Sequence, residues 1–168
     1  MCYVYDMHTN NNYGGQPVSD FIKQIGQESA DKYSQNRRFG NWGEGIVCEM
    51  LKSEKGMKIV DRNFLRKCGE LDIVAEKDGT LHFIEVKTVT REITTYDGLG
   101  IAFDDSQAYN PLDNVDRRKM LRMKRTISVY LAEKHVPHET PFQIDVASVV
   151  FFMPDMLAQV EFLENIIE

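Results

Sequence analysis

The chain has 168 residues, 42% of them apolar and 27% charged, which fits one domain with its own core and not two. No run of about 18 apolar residues exists to cross a membrane, the first residues lack the basic-then-apolar pattern of a secretory signal, and Cys2, Cys48 and Cys68 lack CxxC spacing, which argues against a disulfide framework or a cysteine zinc site and fits a reducing cytoplasm. The net charge of −6 gathers at the ends, with −2 in residues 1–36 and −4 in 154–168, while 37–153 balances 18 basic against 18 acidic groups, so nucleic acid is not excluded as a partner.

Residues 1–36 read as an N-terminal arm, flexible or with a short helix where Val18, Phe21, Ile22 and Ile25 take helical spacing. Residues 37–168 read as the folded domain. Asn41 is placed to cap a helix with Glu44 as its third residue and Ile46, Val47, Met50 and Leu51 as its apolar stripe, ended by Gly56. Strands are expected over 57–64, 71–76 and 81–88, the last two joined by a hairpin turn at Asp78-Gly79. The polar stretch 91–115 reads as a long loop. A helix is expected over 117–134, with Met120, Met123, Ile127, Tyr130 and Leu131 on one side, then strands over 142–150 and 158–163. The order helix, three strands, helix, two strands predicts an α/β sandwich around a mixed sheet of about five strands flanked by helices.

A two-residue turn at Asp78-Gly79 sets Asp72 opposite Glu85 and Glu70 opposite Lys87. Those four charges then share one face near the open end of the hairpin, with Leu71, Ile73, Ile84 and Val86 on the other. Carboxylates on strands about 4.5–5.5 Å apart repel, and a shared proton, a nearby cation or a bound metal relieves this. Oxygen ligands suit a hard divalent ion such as Mg²⁺. A salt-bridged strand pair is the plainer reading of the same residues, and a one-residue slip would scatter them. Glu44 shares the inward side of its helix, either bonding back to the Asn41 amide as a capping box or meeting a cation. Of the histidines, His82 falls on the opposite hairpin face and reads as structural.

The ordered set Gly43-Glu44, Arg62-Asn63, Gly69-Glu70-Leu71-Asp72-Ile73-Val74-Ala75 and Phe83-Ile84-Glu85-Val86-Lys87 resembles the YraN-like family of predicted endonucleases. That family is similar to the restriction-endonuclease-like, PD-(D/E)XK, nucleases. The likeness continues through Lys119, Arg122 and Tyr130-Leu131 to Phe142–Val146 and covers roughly residues 38–167. It implies a restriction-endonuclease-like sandwich. It makes Asp72 an acidic metal ligand, Glu85 and Lys87 the E-x-K pair, the Val86 carbonyl a further ligand and Glu44 the helix glutamate that completes the site. The implied cofactor is Mg²⁺ or Mn²⁺. The resemblance implies a nuclease but carries over no substrate; the leading expectation is hydrolysis of phosphodiester bonds in DNA, with branched or flapped forms in repair or recombination among them.

Six of the nine residues 117–125 are basic. With Met120, Met123 and Ile127 turned to the core, Arg118, Arg122 and Arg125 share another face and, with Lys119, can neutralise phosphates. Arg37 and Arg38 precede Glu44, and Arg62, Arg66 and Lys67 precede the acidic hairpin. Trp42 and Tyr109 can stack on a base, but a core or loop role is the favoured reading for both. Two other classes stay open: a non-catalytic nucleic-acid-binding module on the same fold, and an interaction protein docking through its acidic tail or N-terminal arm. No membrane is expected as a partner. A homodimer and other protein partners are left open.

Overall fold

The computed structural model describes residues 2–6, 32–92, 95–96, 101–102, 117–153 and 157–166. Its elements are β1 (Cys2–Asp6), α1 (Lys32–Ser53), β2 (Lys58–Arg66), β3 (Gly69–Lys77), β4 (Thr80–Glu92), β5 (Thr95–Tyr96), β6 (Ile101–Ala102), α2 (Arg117–Glu133), β7 (Phe142–Met153) and β8 (Leu157–Leu163). Strands β1-β8-β7-β4-β3-β2 form a six-stranded mixed sheet in that order. Strands β4 and β7 run parallel, so the chain between them must cross back over the sheet, and α2 lies in that crossover.

The faces are set by alternation along the strands. Ile73, Ala75, Ile84, Ala147, Val149 and Phe151 pack with Ile46, Val47, Met50 and Leu51 of α1. Val74 and Phe83, their neighbours in sequence, and Ile144 pack with Met123, Ile127 and Tyr130 of α2. Among the described residues, one helix covers each face of the sheet, and each fully buried large side chain contributes roughly 1.5–3 kcal/mol. Gly43 lets α1 settle closely on β4: a Cβ there would stand 2.0 Å from Thr88 Oγ1.

The expected hairpin register holds, from Lys77↔Thr80 to Ile73↔Ile84. Asp78 and Gly79 both take positive φ, 51° and 79°, the backbone that a two-residue turn with the strands' own twist requires. The helix over 117–134 and the strands over 142–150 and 158–163 are likewise present.

The expected mixed sheet flanked by helices is present, and its six strands include Cys2–Asp6, which pairs along the free edge of β8. Five residues without a sustained pattern read as an arm, yet an edge strand asks only for backbone pairing. The short helix expected near residues 18–25 lies outside the described residues. Helix α1 starts at Lys32, so Asn41 is interior to it and the Asn41–Glu44 capping box does not form. The stretch 91–115 is not wholly loop: β4 runs on to Glu92, and Thr95–Tyr96 pairs with Ile101–Ala102. Residues 93–94, 97–100 and 103–116 lie outside the described residues.

Leu71 and Ile73 do not share a face. Ile73 belongs to the α1 side and Leu71 to the α2 side. Their partners on β2 switch with them: Arg62, paired with Ile73, reaches Glu44 of α1, while Phe64, paired with Leu71, meets the Tyr130 ring of α2. Both strands turn over together at Asn63 and Asp72. Asn63 takes a φ of 53°, a left-handed backbone that asparagine tolerates better than most residues.

Candidate active site

The β3–β4 ladder stops at Ile73↔Ile84, just before Asp72 and Glu85. Past that point the Asp72 side chain bridges the strands, its Oδ2 accepting a hydrogen bond of 2.8 Å from the Val86 amide. A carboxylate bonded to a strand amide sits in the seam of the sheet, open to groups from both faces. Glu85 approaches it from the α2 side and Glu44 from the α1 side, and both charges raise the Asp72 pKa. Burial is the largest cause, Glu85 the next, and together they push it to about 7, against the pull of the Val86 amide and of Lys119.

Gly69, Glu70, Asp72, Glu85, Lys119, Arg122 and Met123 line an open cleft of about 200 Å³ between the sheet and α2. Glu85 is buried, and Lys119 donates to its Oε1 across the cleft. Lys87 adjoins the same place, sharing a small recess with Glu85, Lys119 and Met120. Burial lowers the Lys87 pKa, the Lys119 charge lowers it further, and Glu85 opposes both.

The expected residues are thus brought together in part. Asp72 and Glu85 share the cleft, and Lys87 meets Glu85 in the adjoining recess. Glu70 borders the cleft, but the β3–β4 ladder ends before it, so the expected Glu70–Lys87 pair is not part of the ladder. Glu44 is not among the residues lining the cleft. Its Oε2 is buried without a hydrogen-bond partner, and Arg62 Nη2 stands 3.6 Å away. Burial raises the Glu44 pKa, while Asn63 and Arg62 counter it. Among the described residues, no three His, Cys, Asp or Glu side chains stand close enough to hold a metal ion as they are.

The basic residues do not form one surface. Arg37, Arg38 and Arg62 belong to the α1 side, and Arg62 serves Glu44. Arg118, Arg122 and Arg125 are exposed on α2, with Arg122 at the cleft. Arg66 is held by Glu133 at 2.5 Å. Trp42 packs near the Phe151 ring, a core role, and Tyr109 lies outside the described residues. His82 is structural: its Nδ1 lies 2.7 Å from Asp145 Oδ2, and the fully buried Asp145 also accepts from Gln143 and from the Asn165 amide.

Sequence reasoning placed Lys119 on phosphates and missed its contact with Glu85. Nothing in the spacing signals it, because α2 reaches the cleft only through tertiary packing. The turnover at Asn63 did leave a trace, an asparagine inside a strand.

Residues 43–149 match the model of the uncharacterised protein family UPF0102. The chain belongs to that family. A UPF0102 protein of Campylobacter hominis is 34% identical over 129 residues, 77% of this chain and 93% of that protein. A UPF0102 protein of Syntrophomonas wolfei is 36% identical over 116 residues, 68% of this chain and 86% of the relative. One from Helicobacter pylori is 39% identical over 101 residues, 60% and 73% of the two chains. The YraN-like resemblance pointed to this family. The UPF0102 match takes in Glu44, Asp72, Glu85, Lys87 and all of α2, and leaves β1 and β8 outside it. Among the described residues, no helix is long and apolar enough to cross a membrane.

Proposed function

We propose that the chain is a metal-dependent endonuclease of the restriction-endonuclease-like, PD-(D/E)XK type, cleaving phosphodiester bonds in cytoplasmic DNA, with branched or flapped forms as the substrates to try first. The observation that carries this reading is Asp72 and Glu85 on one open cleft beside Lys87, Lys119 and Arg122. The donors suit the cofactor: Asp72 and Glu85 offer carboxylate oxygens and Val86 a backbone carbonyl, the hard oxygen set that Mg²⁺ or Mn²⁺ takes. Burial first and the Glu85 charge second raise the Asp72 carboxyl to about 7, so near neutral pH its oxygens can exchange a proton for a cation. When bound, the cation supplies charge that acidifies water and offsets negative charge gathering on the phosphate.

The chain's own groups do the rest. Asp72 and Glu85 hold the cation, and the Val86 amide fixes the Asp72 carboxylate in one orientation. Lys87, its proton loosened by burial, hydrogen-bonds the attacking water or the phosphate oxygens. Arg122, with Arg118 and Arg125, holds the backbone in register. Glu44 acts from the far side of the seam by keeping Asp72 electron-rich.

The test is incubation of the purified protein with single-stranded, duplex, flap and four-way DNA plus Mg²⁺ or Mn²⁺. Cleavage that disappears in Asp72→Ala and Glu85→Ala supports the reading. Cleavage that persists in both variants comes from elsewhere and overturns it.

A second reading has its own observation. Glu85 is already neutralised by Lys119, and no three-ligand cluster is formed among the described residues. A non-catalytic DNA-binding module would look like this. Salt-dependent binding without cleavage under any divalent cation would favour it.

A further inference from the structure

We infer that Lys119 is a positioning residue that occupies Glu85 until a phosphodiester draws it away, so that cation and nucleic acid enter the cleft as a pair. This rests on the nuclease reading and adds an order of binding to it. The two partners of the Lys119–Glu85 ion pair differ in freedom. Glu85 is held on β4 with its side chain 9% exposed, whereas the Lys119 side chain is 50% exposed. Lysine carries a compact charge on a flexible four-carbon stem, so the lysine is the partner that can swing. It projects from the first turn of α2, next to Arg118 and Arg122, where a phosphate backbone would lie.

Charge balance gives the direction. Around the cleft, Glu70, Asp72 and Glu85 face Lys87, Lys119 and Arg122. Equal formal charge is already present, so a divalent cation alone meets competition from Lys119 and brings surplus positive charge. A phosphodiester takes up Lys119, frees the Glu85 oxygen and offsets the added cation. Each ligand then tightens the other by the same factor.

The experiment is a titration of Mn²⁺ into the full chain, with the free ion followed by electron paramagnetic resonance. It is run with and without a phosphorothioate-linked DNA duplex that resists hydrolysis. The duplex is expected to tighten Mn²⁺ binding by about tenfold or more. Lys119→Met is expected to bind Mn²⁺ more tightly without DNA and to lose most of that coupling, and Lys119→Arg to restore it. Circular dichroism melts check that each variant is folded. If Lys119→Met keeps wild-type Mn²⁺ affinity and full coupling while Asp72→Asn abolishes binding, the latch is overturned and the acidic site stands. If Asp72→Asn binds Mn²⁺ like the wild type, or no form binds Mn²⁺ at all, the nuclease reading fails and takes the latch with it.

Discussion

Asp72 Oδ2 accepts the Val86 amide at 2.8 Å, a side chain standing where a strand's carbonyl would otherwise be. The bond closes the gap left where the β3–β4 ladder ends and holds a carboxylate beside two others. The acidic seam is therefore built by opening a sheet, not by decorating its surface.

Asp72→Asn should remove activity and add stability together. The Asp72 pKa rises from its ordinary 3.8 to about 7, so the folded state binds protons more tightly than the unfolded chain. Stability is then lost as pH climbs between those values. The amide keeps an acceptor for Val86 without the charge. Thermal melts should show the variant more stable by on the order of 1–3 kcal/mol near pH 8, with the gain gone by about pH 4.

Cation affinity should follow the same proton. Ligation needs Asp72 ionised, so binding expels a proton below the Asp72 pKa of about 7. Calorimetric Mn²⁺ affinity should rise by up to about tenfold per pH unit toward neutrality and flatten above it. A flat profile from pH 5 to about 8 would mean that Asp72 is not the titrating ligand.

The arginine row on α2 should govern salt dependence. Replacing Arg118, Arg122 and Arg125 together by Gln should reduce the slope of log affinity for duplex DNA against log salt by about 2–3. Replacing Arg37 and Arg38, on the α1 side of the sheet, should change that slope less. Fluorescence anisotropy over a salt series reads both.

Asp145 should matter for folding and not for chemistry. Its carboxylate ties His82 on β4 and Gln143 on β7 to the Asn165 amide. Asp145→Ala leaves the buried His82 ring without its partner and should cost about 2–5 kcal/mol in denaturant titrations. The fraction that stays folded should retain wild-type turnover.

The hairpin and its acid pair were legible because Asp78-Gly79 dictates a turn and the turn dictates the register. The helix over 117–134 was legible from its apolar stripe. The turnover at Asn63 and Asp72 was not, since two strands that flip together preserve their pairing and leave the alternation only locally broken. Glu44 could be read as a helix cap or as a group meeting a cation, and the cap reading fails because the helix begins at Lys32, well before Asn41. Lys119 read as a phosphate ligand because its charge was visible and its neighbour across the fold was not.

The parallel pairing of β4 with β7, from Leu81↔Phe142 to Glu92↔Met153, joins strands separated by residues 93–141, with α2 among them. Such distant closure is slow, whereas the β2–β3–β4 meander closes through short turns. During folding, Asp72 and Glu85 therefore meet before Lys119 arrives to neutralise them. Refolding should run faster in mildly acidic buffer, where a proton fills in for the missing ammonium until the crossover docks.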